Sequence, residues 1–291
     1  MPAAELKPTP EPEPKPSPEP ELKLLAFGSC RKQNQPAPIW ASVTALRPDA
    51  WVWTGDAIYP RGNAAPAELH AAYLTAAADD DLVRSAVRVY DGVYDDHDFG
   101  LNDAGRTFPG RQAGRQAFLE EIVRAPAGST RRTQRDGLYG ARTFGSPPRQ
   151  LKLIMLDTRY SRDDHYIYSV GGSSWLPKPG YLAAAVRLAS AVLGVGSSYD
   201  GDVLGEEQWA WLSSELSNSS AAAHIIVSSI QVRRCPWVST KDLEEPTAQE
   251  ARPPTAQALR WCVRGCSARS AYMLNMRNEE HNTVFYSYLA L

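Results

Sequence analysis

Five short apolar runs, each ending abruptly in polar residues or a thiol, constrain this 291-residue chain more than any other feature. Residues 22–27 lead into Gly28-Ser29-Cys30, 50–53 into Gly55-Asp56, and 87–93 into Asp95-Asp96-His97-Asp98, while 151–156 lead into Asp157 and 224–227 into Ser228-Ser229. Runs of this length bounded by turn residues read as buried strands. Between them, residues 39–46, 67–77, 115–123 and 206–216 read as helices, the first two opening behind Pro38 and Pro66. Trp209, Leu212 and Leu216 recur at helical spacing and read as core. Strands alternating with helices predict a mostly parallel sheet covered by helices. Ligands of such sheets collect beyond the carboxyl ends of the strands, so one shared site is expected there.

The residues at those ends have metal and phosphate chemistry. Asp95-Asp96-His97-Asp98 packs three carboxylates and an imidazole into four positions, a repulsion that a solvated turn tolerates and a buried one does not without cations. Aspartates are hard oxygen ligands for Ca²⁺, Mg²⁺ or Mn²⁺, and His97 suits a borderline metal or the orientation of a carboxylate. Asp56, behind Gly55, lies on a tight turn where a carboxylate bridges two cations without the backbone intruding. Tyr59 places a phenolic oxygen on the same side, and Asn102 adds a neutral oxygen ligand. Cys30 is either a buried structural thiol or, as a thiolate beside carboxylates, a ligand favouring a softer, redox-active metal. Arg159 offers a planar fork suited to phosphate oxygens, with an ion pair to a nearby Asp as the alternative.

The flanks differ from this core. The first twenty residues hold eight prolines, so residues 1–21 read as an extended, solvated leader. Residues 163–202 contain a Gly171-Gly172-Ser173-Ser174 run and a small-residue helix at 182–193, and read as a mobile insertion. From Arg233 to Ala271 neither period of 2 nor of 3.6 persists, and Pro236, Pro246, Pro253 and Pro254 interrupt it, so residues 233–291 are expected to form an atypical, poorly packed tail. Thirty-one basic against 33 acidic residues give a net charge of −2, which argues against nucleic acid as a dedicated partner. No apolar stretch approaches the roughly 20 residues of a membrane span, and no secretory apolar core follows Met1. Four cysteines are too few for a disulfide scaffold. The compartment and oligomeric state stay open.

Taken in order, Phe27-Gly28-Ser29-Cys30, Gly55-Asp56-Ala57-Ile58-Tyr59, Asp95-Asp96-His97-Asp98-Phe99-Gly100 with Asn102-Asp103, Leu156-Asp157-Thr158-Arg159-Tyr160, Leu204-Gly205-Glu206-Glu207-Gln208-Trp209 and Ser228-Ser229-Ile230-Gln231-Val232 resemble the PhoD-like metallophosphatases, the alkaline phosphatase D family, over about residues 24–232. The resemblance implies a metallophosphoesterase-like layered α/β sandwich, four layers deep, with an incomplete C-terminal part. It implies iron and calcium as cofactors, other divalent metals standing in for them, and hydrolysis of phosphomonoesters or phosphodiesters by a metal-activated water. Cys30 and Tyr59 match iron ligands, Asp56 the carboxylate shared between metals, and Asn102 a calcium ligand. Asp95 and Asp96 fall in the same metal-binding loop, with His97 as a catalytic group, and Arg159 matches the arginine that meets substrate phosphate. An extracytoplasmic setting is implied for a chain preceded by a targeting segment. The family's later Gly-Asp-Val-His motif has no counterpart, since Gly201-Asp202-Val203-Leu204 lacks the histidine. The alternative is therefore a phosphatase-like domain that binds phosphate or a partner without catalysis, or folds unstably.

Asp56→Asn is expected to abolish metal retention more thoroughly than Asn102→Asp, because the first removes a bridging charge and the second keeps an oxygen ligand. Elemental analysis of the two purified variants checks this, and equal retention removes Asp56 from a bridging role.

Overall fold

The computed structural model describes residues 19–60, 64–133, 135–167, 176, 179–196, 201–230 and 284–287. The described elements form two sheets rather than the single one predicted by strand–helix alternation. The first sheet joins β1 (Leu25–Gly28), β2 (Ala50–Thr54) and β3 (Val89–Val93), all parallel and in the order β1-β2-β3. The second joins β4 (Gly140–Phe144), β5 (Leu151–Met155), β6 (Ala223–Ser228) and β7 (Val284–Ser287) in that order, with β4 antiparallel to β5 and the others parallel. Strand periodicity cannot report which sheet a strand joins, because side-chain alternation is the same in either. β4 escaped the sequence reading because Arg142 and Thr143 interrupt its apolar pattern.

The alternation of side chains along the strands explains why two sheets stack. On β2, Trp51 and Trp53 point to one face and meet Trp40 of α1 (Ile39–Ala45) edge-on, with ring centroids 5.1 and 5.9 Å from Trp40. On the next strand, Tyr90 binds Asp80 of α2 (Pro66–Ala86) at 2.6 Å on that same helical side. The neighbouring residue, Asp91, points the other way, to Arg142 on β4. In the second sheet Leu153, Met155, Ile225 and Val227 join the core shared with the first, whereas Ile154, Leu156 and Ile226 pack on Trp209 and Leu212 of α7 (Gly205–Ser217). The layers are thus helices, sheet, sheet, helix: the layered α/β sandwich implied by the family resemblance.

α2 continues nine residues beyond the expected end at Ala77, because Leu69, Ala72, Tyr73, Ala76, Asp80 and Val83 make one continuous buried face. α3 (Asp96–Phe99) and α4 (Arg111–Glu121) follow, α4 packing on both α2 and α3, and α5 (Thr130–Thr133) leads into β4. α6 (Pro179–Leu193) occupies the expected insertion, of which residues 168–175, 177–178 and 197–200 lie outside the described residues. Of the Pro-rich leader only residues 19–21 are described. There Glu19 exchanges backbone hydrogen bonds with Thr143 and Gly145 and pairs with Arg142 at 2.6 Å. The expected tail lies outside the described residues apart from β7, which extends the second sheet. Among the described residues no helix is long and apolar enough to cross a membrane.

Asp91 ties the two sheets together. It is fully buried and meets Arg131 at 2.7 Å and Arg142 at 2.7 Å. Burial alone would raise its pKa, but the two guanidinium groups outweigh that and hold it below the usual carboxylate range. Asp91→Ala leaves two arginines facing one another without their anion, and is expected to destabilise the fold by about 3–5 kcal/mol in urea unfolding. The stability that Asp91 contributes is complete above the unfolded carboxylate pKa of about 3.9 and is lost as pH falls through its lower folded value. A variant as stable as the parent at neutral pH would deny the clamp its role.

Candidate metal centre

Strand ends from both sheets deliver the candidate residues to one place. β1 and β2 run in parallel with Gly28 opposite Trp53, and both leave the sheet through a left-handed residue, Cys30 (φ 57°) and Asp56 (φ 51°). Such a conformation costs a non-glycine residue about 1–2 kcal/mol and persists only where its surroundings impose it. Here the turns are locked in register, Cys30 N–H donating to Gly55 O at 3.3 Å and Arg31 N–H to Asp56 O at 3.0 Å. The buried Arg31 side chain then pairs with Asp80 at 2.6 Å and donates to Ala57 O at 2.9 Å. An acid on the apolar face of α2 thereby anchors the turns that carry Cys30 and Asp56. The signal for this was legible, since Asp80 falls in the Leu69, Tyr73, Ala76, Val83 spacing, but the sequence reading missed it.

Gly55 permits the closest approach. A Cβ there would lie 2.7 Å from Asp95 Cβ and 2.9 Å from Ser229 Cβ, so only glycine lets the ends of β2, β3 and β6 meet. Its φ of 111° also disfavours any side chain.

Around Asp56 the ligand types cluster. Tyr59 donates its hydroxyl to Asp56 Oδ2 at 2.7 Å, Cys30 Sγ lies 3.8 Å from the same oxygen, and the His97 N–H meets Oδ1 at 3.4 Å. The Tyr59 and His97 rings pack with centroids 4.2 Å apart at an interplanar angle of 40°. Asp56, Asp96 and His97 each bring a ligand atom within 4.8 Å of the others. Asn102 lies half-buried in the turn after α3, where the next residue, Asp103, donates its N–H to Asp96 Oδ2 at 2.8 Å.

The remaining aspartates have other partners. Asp95 accepts Arg159 Nε at 2.6 Å and Ser229 Oγ at 3.0 Å, and Ser229 is 2.6 Å from Thr158 Oγ1. Asp98 is fully buried and accepts the N–H groups of Asp95, Ala57 and Ile58 at 3.1, 3.2 and 3.1 Å. It organises the loop backbone instead of facing outward. Asp157 does the same for Arg159: its Oδ1 accepts Arg159 N–H and Tyr160 N–H, both at 2.9 Å, while Oδ2 accepts Leu138 N–H and the Tyr94 hydroxyl. Arg159 itself is 4% exposed. Its Nε and Nη2 go to Asp95, and its buried Nη1 has no hydrogen-bond partner among the described residues.

The family model for PhoD-like phosphatase matches residues 89–285. The chain belongs to the PhoD-like phosphatase family. A solved structure described as "Structure of PhoD" is 18% identical over 72% of this chain with a TM-score of 0.49, and this chain spans 42% of that one. A comparison with the curated proteins found no match.

The electrostatics test whether cations fit. Burial pushes the Asp56 carboxyl well above its usual pKa, and Asp96, Asp95 and Asp98 add to this in that order. Burial and the neighbouring Asp56 likewise raise the Tyr59 phenol, and burial takes Asp98 up to about 7 against the amides it accepts. Negative charge is thus concentrated beyond what Arg159 neutralises, and a divalent cation reverses each of these pressures. The donors fit as well: thiol, phenol, imidazole and carboxylates converge on Asp56.

Cations should therefore stabilise the fold. At a concentration one hundred times the dissociation constant the gain is about 2.7 kcal/mol, read as a higher midpoint of thermal unfolding in calcium or manganese than in chelator. Asp56→Asn should lose most of that shift. An unfolding temperature indifferent to chelator and cation alike would exclude a cation from this cluster.

Proposed function

We propose that the chain is a metal-dependent phosphoric ester hydrolase in which Cys30, Asp56, Tyr59, Asp96 and Asn102 hold the cations, iron on the thiol and phenol side and calcium on the carboxylate and amide side. The division follows ligand softness: thiolate and phenolate suit a transition metal, and neutral and anionic oxygens suit calcium. When bound, such cations lower the pKa of water and polarise phosphoryl oxygens. Asp95 takes its place through Arg159, whose Nε and Nη2 both donate to its carboxylate.

The observation that carries the reading is the buried Nη1 of Arg159, without a hydrogen-bond partner among the described residues, beside a cluster of side chains of metal-ligand type. An arginine is costly to leave unsatisfied in the interior, and a phosphoryl oxygen satisfies it. In hydrolysis a water oxygen forms the new bond to phosphorus, the ester P–O bond breaks, and the leaving oxygen departs as an alcohol once protonated. Arg159 steadies the charge that gathers on the equatorial oxygens. His97, its ring packed against Tyr59 with a nitrogen within 4.8 Å of carboxylate oxygens of Asp56 and Asp96, supplies the proton to the leaving oxygen. Phosphomonoesters and phosphodiesters both present the oxygens this arrangement needs.

Iron and calcium content of the purified chain, with turnover of a chromogenic phosphodiester in calcium, tests the proposal. Bound metal and turnover are expected, and Arg159→Gln should lower kcat by about 10²–10³-fold, the usual cost of removing one transition-state donor. A folded chain that binds metal and phosphate without turnover would instead favour a binding domain.

A further inference from the structure

Arg162 stands out among the buried cations. Arg31 is matched by Asp80, Arg115 by carbonyl oxygens of Gly137, Arg131, Arg132 and Arg135, and Arg159 by Asp95. Arg162 is 9% exposed, yet among the described residues its guanidinium meets the imidazole of His165 alone, Nη2 to Nε2 at 2.7 Å, and no carboxylate comes within ion-pairing distance. An interior guanidinium without an anion is a standing cost. Its place makes that cost intelligible. Arg162 closes the turn begun at Arg159, N–H to O at 3.2 Å. His165 Nε2 lies 3.9 Å from Asp103 Oδ1, and Asp103 N–H is bonded to Asp96, so the imidazole holds Arg162 at the rim of the metal cluster. Burial lowers the Arg162 pKa to about 10, and the charge of Arg159, three residues earlier in the same turn, is the next largest cause.

Resting on the hydrolase reading above, we infer that Arg162 is a second phosphate-binding residue, held by His165 in the turn that Arg159 begins, and that the pair favours a terminal phosphate monoester over a diester. A terminal phosphate presents three non-bridging oxygens and two charges where a diester presents two and one. A second planar fork therefore gains most from the monoester. His165 acts through Arg162 as a positioning residue.

The test uses the full chain with Arg162→Gln and Arg162→Lys, measuring inorganic phosphate affinity by calorimetry and kcat/KM on a nitrophenyl monoester and a bis-nitrophenyl diester. Loss of a charge-assisted hydrogen bond predicts about tenfold weaker phosphate binding in Arg162→Gln and a monoester-to-diester ratio of kcat/KM that falls by a similar factor through KM. Arg162→Lys, which keeps the charge and loses the fork, should fall between. Unchanged phosphate affinity in a variant that unfolds at the parent temperature, or equal losses on both esters, overturns the inference while leaving the hydrolase reading intact. If Arg162→Gln does not fold, parental affinity in Arg162→Lys overturns it. A parent chain that binds phosphate without hydrolysing either ester, and loses binding in Arg162→Gln, sinks the hydrolase reading and supports Arg162. A parent that neither binds phosphate nor turns over overturns both.

Discussion

Buried negative charge is the constraint on which the rest of the structure depends. Asp56, Asp91, Asp96 and Asp98 are all withdrawn from water, and each withdrawal has to be offset locally. Asp91 is offset entirely by protein, through Arg131 and Arg142, and the result is a clamp between two sheets. Asp98 is offset by three backbone amides and becomes the knot of the loop that carries Asp95 to His97. Asp56 has only a phenol, a distant thiol and one long amide contact. The contrast separates charge matched by the protein's own cations and amides from charge left largely unmatched among the described residues.

A second tier of interactions fixes the turns that carry these groups. The left-handed turns at Cys30 and Asp56 are kept by Arg31, which is kept by Asp80, which also receives the Tyr90 hydroxyl. The turn at Arg159 is kept by Asp157, which receives the Tyr94 hydroxyl, while Gln208 of α7 accepts the Asp157 N–H and donates to its carbonyl. Each turn that carries a candidate residue is thus referred back to a helix on the outside of its own sheet. Rigid elements position such side chains better than loops do, and here the loops inherit their rigidity from α2 and α7.

Much of this was legible. The strand ends, the Gly55-Asp56 turn, the Asp95 to Asp98 loop and Arg159 could be picked out because metal and phosphate chemistry demands rare residue types at the ends of apolar runs. The helix at Ile39–Ala45 followed from Pro38 ahead of it, and the one at Gly205–Ser217 from the spacing of Trp209, Leu212 and Leu216. Less visible was Asp98, identical in type to its neighbours Asp95 and Asp96 yet turned inward to the backbone, since which way a side chain faces on a one-turn helix has no signature in a four-residue run.

The sequence by itself determined which residues stand at strand ends and which chemistry they offer, because local periodicity and residue type are properties of neighbouring positions. Tertiary structure alone decided that the strands divide between two sheets, that Asp91 joins them, that Asp95 turns to Arg159 and Ser229, and that Arg162 is left with an imidazole for company. Apart from Arg162 and its near neighbour His165, the charge pairings among them join residues 40 to 134 positions apart, and no local pattern encodes which distant charge will be brought within hydrogen-bonding reach.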